Sequence, residues 1–197
     1  MRRVLCQQQW KLLSSSSLGK NKKKFSPLER EMWKLYFIKL GIWILVCYII
    51  FHFLLGIVQV NGISMEPTLQ QDDVLLTTRV GYQLKRGDIV ICHSGKGLEE
   101  ELVKRVIGLP GDTIDIREEK LYVNGEWLEE PYVKEAILTP GETVYPTLVP
   151  PGEYFVMGDN RNNSLDSRSM QVGTIPANGI EGKAFFRVFP LSRCGGF

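Results

Sequence analysis

A serine and a lysine are the side chains of this sequence best suited to chemistry. Ser64 lies in NGISMEPTL, where Gly62 loosens the backbone before it and Pro67 restrains the chain after it. Lys104 lies in LVKRVIGLPGD, within an apolar stretch between Val103 and Val106. If that side chain points inward, loss of hydration disfavours the ammonium form and moves its pKa toward neutrality. A neutral amine can take the proton of a serine hydroxyl and turn it into a nucleophile. Strand alternation puts Lys104 and Val106 on one face and Val103 and Arg105 on the other, which predicts an inward Lys104 and a solvated Arg105. On residue types alone a second reading stays open, that of a turn serine and a lysine at a solvated strand edge.

Other chemistries are poorly supplied. Gly62-Ile63-Ser64-Met65-Glu66 lacks the closing glycine of a nucleophile elbow, and neither a P-loop nor HExxH occurs. Of the 2 histidines, His52 falls in a long apolar run and His93 at a strand end, so a Ser-His-Asp triad would rest on His93 alone. The 4 cysteines show no metal-ligand spacing. No metal and no cofactor are expected. Cys92 and Cys194 read as small thiols, and nothing in their spacing decides whether they pair.

The elements that must position the pair divide into a basic N-terminal part, an apolar run and an acidic body. Up to Lys39 the cations Arg2, Arg3, Lys11, Lys20, Lys22, Lys23, Lys24, Arg30, Lys34 and Lys39 face only Glu29 and Glu31, whereas from Asn61 onward acidic residues outnumber basic ones 20 to 14. No basic face accompanies a recognition motif, which argues against nucleic acid as a partner. Between the parts, Leu40 to Val58 carries no formal charge and is long enough for a hydrocarbon core of about 30 Å. Trp33, Tyr36 and Lys39 supply interfacial anchors, and the basic excess predicts a cytoplasmic N-terminus. No small-x-small cleavage site follows, so a retained anchor is preferred to a cleaved leader.

The expected organisation is a basic cytoplasmic tail at 1–35, a transmembrane anchor at 36–58 and an extracytoplasmic β domain at 59–197. The tail to residue 26 reads as disordered, and the helix is expected to run from Pro27 to Val58. Beyond Asn61, short β-rich runs are broken by Gly, Pro and Asp. Strands are predicted at Val74–Val80, Ile89–His93, Leu102–Leu109, Thr113–Arg117, Leu121–Val123, Tyr154–Met157 and Ala184–Val188. Asn124-Gly125 marks a two-residue hairpin. The fold class is mainly β: a transmembrane helix, then an antiparallel catalytic sheet with a small inserted lobe at about 113–152.

Three strings then carry a resemblance. NGISMEPTLQQDDVLL, LVKRVIGLPGD and MGDNRNNSLDSR, in that order after an apolar anchor, resemble the bacterial type I signal peptidases. The likeness frames the chain from about residue 30 onward. It implies a membrane-bound serine endopeptidase that removes signal peptides from exported preproteins, with Ser64 as nucleophile and Lys104 as base. By the same match, Ser164 would hydrogen-bond the Lys104 amine, Asp166 and Arg168 would form an ion pair, and Asn163 would support their loop. The Ser64 N–H would enter the oxyanion hole. Some members carry a serine hydroxyl two residues before the nucleophile; Gly62 stands there instead, which leaves the second donor open.

The resemblance further implies shallow apolar pockets for small substrate side chains, lined by Val60, Met65, Leu69, Leu102 and Val103. The other reading of these five is ordinary core. The implied partners are preprotein signal peptides and the phospholipid bilayer, and the implied place is the plasma membrane. Two rival functions share some of these features. A membrane-tethered β scaffold would not need Ser64, Lys104, Ser164, Asp166 and Arg168 together. A self-cleaving Ser-Lys regulator would bring a DNA-binding module in place of the anchor.

Overall fold

The computed structural model describes residues 26–93 and 100–197. Expectations for the tail before Ser26 lie outside the described residues. The chain divides into two compact units between Leu45 and Val46.

Helix α1 (Pro27–Ile49) begins at a reciprocal cap. The Glu29 N–H donates to Ser26 Oγ (3.2 Å) and the Ser26 N–H donates to Glu29 Oε2 (2.6 Å). Pro27 occupies the first helical position, where a missing N–H leaves nothing unsatisfied. The helical run to Leu54 is 28 residues long, apolar, and exposed on every face. A helix apolar all round, with no protein covering it, has the composition and length to cross a membrane.

The expected helix to Val58 is corrected here. α1 passes into a π-helical turn, Ile50–Leu54, and the backbone becomes extended at Leu55. Leu55–Gln59 is strand β1, paired antiparallel with β2 (Val74–Thr78). An uncharged run does not by itself distinguish helix from strand. Here pairing with β2 decides, and it is close enough at Gly56 that a Cβ there would meet the Thr77 side chain across the ladder.

The body is antiparallel β, as expected. Its further strands are β3 (Ile89–His93), β4 (Glu101–Gly108), β5 (Thr113–Arg117), β6 (Lys120–Val123), β7 (Glu126–Trp127), β8 (Thr147–Leu148), β9 (Glu153–Met157), β10 (Ile175–Pro176), β11 (Ile180–Phe189) and β12 (Gly195–Gly196). The larger sheet runs β1-β2-β11-β3-β4-β9-β10, with β12 beside β11. The smaller runs β7-β6-β5-β8 and falls inside the segment predicted as an insertion. Asn124 and Gly125, with φ of 54° and 83°, make the β6–β7 turn as their types predict. β1, β8, β10 and β12 were not predicted. Three are two residues long, and all of β1 but Gln59 lies within the run assigned to the anchor.

Candidate active site

Lys104 sits mid-strand in β4, opposite Val90 of β3, while its neighbour Arg105 pairs with Met157 of β9. Flanked on both edges, this strand has little room for solvated side chains, and Lys104 is only 3% exposed. Ser64 lies in the loop that joins β1 to β2. That loop closes on itself through Val60 N–H to the Asp73 carbonyl (2.8 Å) and Asp72 N–H to the Val60 carbonyl (2.9 Å). Met65 and Leu69 anchor it in an apolar cluster with Leu75, Ile89 and Ile91. The loop thereby brings Ser64 Oγ to 2.7 Å from Lys104 Nζ, a hydrogen bond.

Burial lowers the Lys104 pKa from the ordinary 10.5, against the opposing pull of Asp166. The Asp166 carboxylate is itself compensated. It accepts from Arg168 Nε and Nη2, both at 2.8 Å, and from the Gly158 N–H at 3.0 Å. A carboxylate so paired holds a proton on the lysine less firmly, so desolvation prevails. Burial also pushes the neighbouring Cys92 thiol up to about 12, which leaves it a poor nucleophile. Cys92 and Cys194 are unpaired. No group of residues suited to a metal occurs among the described residues.

A cleft of about 540 Å³ opens beside the pair. Its walls are the segment Val58 to Met65 on one side and Glu100 to Lys104 on the other, with Asn163 and Leu165 at the edge. Apolar Val58, Val60, Ile63, Met65, Leu102 and Val103 line it together with polar Gln59, Asn61, Glu100 and Glu101.

Residues 32–189 match the family model described as "Signal peptidase, peptidase S26". The chain belongs to the signal peptidase family. It is 42% identical over 159 residues to a signal peptidase I T of Bacillus subtilis, covering 76% of this chain and 81% of that protein. A Synechocystis relative is 36% identical over 140 residues, 67% of this chain; the chain spans 62% of that relative's length. A crystal structure of a signal peptidase I from Enterococcus faecalis V583 matches at a TM-score of 0.45 and 34% identity, covering 52% of this chain and 97% of that one.

Gly62, Val60, Met65, Leu102, Val103 and Asn163 line the cleft with Ser64 and Lys104. Leu69 does not. It is fully buried in the apolar cluster beneath the Ser64 loop, where its packing holds the loop. Asp166 and Arg168 form their ion pair away from the cleft wall. Ser164 lies close behind Ser64, but its Oγ is buried without a hydrogen-bond partner, so the bond expected to Lys104 is absent in this conformation. The Gly62 N–H donates to Gln71 Oε1 and is not free for an oxyanion.

The solvated Arg105 is also corrected. It is 7% exposed, and its guanidinium grips Asp159 through Nε to Oδ1 (2.8 Å) and Nη2 to Oδ2 (2.6 Å). The Tyr132 ring covers it at 3.9 Å. Sequence reasoning missed this pair, although an arginine inside a run as apolar as LVKRVIGL was itself a sign that a buried carboxylate would meet it.

Proposed function

We propose that this chain is a membrane-bound serine endopeptidase that removes N-terminal signal peptides, with Ser64 as nucleophile and Lys104 as general base. The observation that carries the reading is the 2.7 Å contact between a serine hydroxyl and a lysine amine whose pKa burial lowers. With Nζ neutral, the Ser64 O–H donates to it. As Oγ attacks the scissile carbonyl, Nζ takes the proton and the carbonyl oxygen becomes an oxyanion facing the Ser64 N–H. The proton then passes to the leaving amine, which departs and leaves an ester on Ser64. Neutral Lys104 next draws a proton from water, whose oxygen attacks the ester; the ester bond to Ser64 breaks as Nζ returns that proton to Oγ, freeing the signal peptide's new C-terminus. Asp166 and Arg168 brace the loop beside the amine, and Asn163 borders the cleft.

A signal peptide enters the cleft as an extended strand, its small residues at positions −1 and −3 meeting Val60, Met65, Leu102 and Val103. The apolar helix ahead of β1 anchors the chain in the bilayer. Its basic flank faces the cytoplasm and the β body the outer side of the plasma membrane. A peptide containing an Ala-x-Ala site, with the protein in mild detergent, supplies the test. Wild type cleaves after the second Ala, and Ser64→Ala and Lys104→Ala each lose turnover by at least about a thousandfold, the scale on which removing one member of such a unit acts. Retained cleavage in either variant rejects the pair. The pH–rate profile rises through the Lys104 pKa, with a midpoint below 10.5. A rate independent of pH from mildly acid to neutral excludes Lys104 as base.

A further inference from the structure

The Ser64 hydroxyl is held by its contact with Lys104, but the direction of the Ser64 N–H is set elsewhere. That N–H belongs to the same planar unit as the Ile63 carbonyl, and in a trans peptide the two point in opposite directions. Whatever fixes the Ile63 carbonyl therefore aims the Ser64 N–H. Two donors reach this carbonyl: the Glu66 N–H at 3.1 Å from within the loop, and Asn160 Nδ2 at 3.1 Å from the loop after β9. The Asn160 backbone N–H also donates to the Ser64 carbonyl at 3.0 Å. One residue thus holds the peptide units on both sides of the nucleophile.

Asn160 is itself held from both sides. Asp159 is locked to Arg105, and Arg161 is fully buried against Glu130, donating to it from both Nη1 and Nη2. Arg161 Nε reaches back to the Gly158 carbonyl at 3.0 Å. Two buried ion pairs flanking one asparagine leave its backbone little freedom to drift. A donor into the Ile63 carbonyl also polarises the shared peptide and strengthens the Ser64 N–H as a donor.

We infer that Asn160 is a positioning residue for oxyanion stabilisation: its side-chain amide, latched through Arg161 to Glu130, aims the Ser64 N–H into the cleft. The inference rests on Ser64 being the nucleophile. Asn160→Asp keeps the shape but presents an oxygen to the Ile63 carbonyl, so the bond is lost and the peptide tilts. Removing an oxyanion donor outright lowers kcat by about 10²–10³; here the donor is misaimed and Glu66 still holds the carbonyl, so the expected loss is about tenfold. The Ala-x-Ala peptide assay reads it. Asn160→Asp and Asn160→Ala lower kcat, leave KM within about twofold, and leave the ascending limb of the pH profile in place, because the Lys104 amine has not moved.

Wild-type kcat in both variants overturns the inference, as does a loss confined to KM or accompanied by a shifted pH limb. Should the Asn160 variants not fold, Glu130→Gln loosens the latch from outside the loop and gives the same kcat-only loss at smaller size; unchanged kcat there overturns it equally. Ser64→Ala is assayed alongside. Turnover by that variant removes the nucleophile and this inference with it, whereas a dead Ser64→Ala beside a fully active Asn160→Asp overturns the positioning role alone.

Discussion

The Lys104 side chain has a consequence for stability that runs opposite to its proposed use in chemistry. Its pKa is lowered by burial, so between the folded-state value and 10.5 the unfolded chain binds a proton that the native chain does not. Stability therefore rises with pH across that window and is lowest below it. Lys104→Met removes the titrating group while keeping the length of the side chain. The variant is expected to be inactive yet more stable than wild type, with the difference in urea midpoint largest at acid pH and vanishing above about 10.5. Equal midpoints at every pH would mean that folding leaves the Lys104 pKa where it is in the unfolded chain. Gly158 is the complementary case. A Cβ on it would collide with the Ser64 carbonyl oxygen and Ser164 Oγ, so Gly158→Ala is expected to displace Ser64, the proposed nucleophile, and lower kcat strongly.

At the scale of elements, β4 explains both what the sequence disclosed and what it concealed. Alternation predicted an inward Lys104, and the side chain is buried. The same rule assigned Arg105 to solvent, because alternation assumes one wet face, and β4 lies between β3 and β9 with protein on both faces. Local signals served well where local chemistry decides: Asn124-Gly125 formed its turn, and β3 and β5 have the predicted bounds. They failed where distant partners decide, as at β1, which is a strand because it pairs with β2. The contacts of Asp159, Asn160 and Arg161 were illegible for the same reason, since Arg105, Ile63 and Glu130 lie far away in sequence. The Arg105–Asp159 pair carries its own prediction. Removing one partner of a buried ion pair strands the other, at a cost of about 3–5 kcal/mol, so Asp159→Asn should destabilise on that scale in urea unfolding. A loss below about 1 kcal/mol would show the pair to be dispensable.

For the whole molecule, the question that remains is orientation, and the cysteines give a direct way to read it. The helical run Pro27–Leu54 is apolar enough to cross a bilayer, and the cations before Leu40 outnumber the acids. A basic excess of this kind keeps its side of a span in the cytoplasm. On the proposed topology Cys6 lies inside and the exposed Cys194 outside; Cys92 is fully buried and stays silent until the protein unfolds. A membrane-impermeant maleimide applied to intact spheroplasts should label a variant retaining only Cys194. The same reagent should label a variant retaining only Cys6 after permeabilisation alone. The reverse pattern would put Ser64 and Lys104 on the cytoplasmic side, where an exported preprotein's cleavage site does not arrive, and the proposed function would fall with the topology. Labelling of both variants before permeabilisation would instead mean that the apolar helix does not span the bilayer at all.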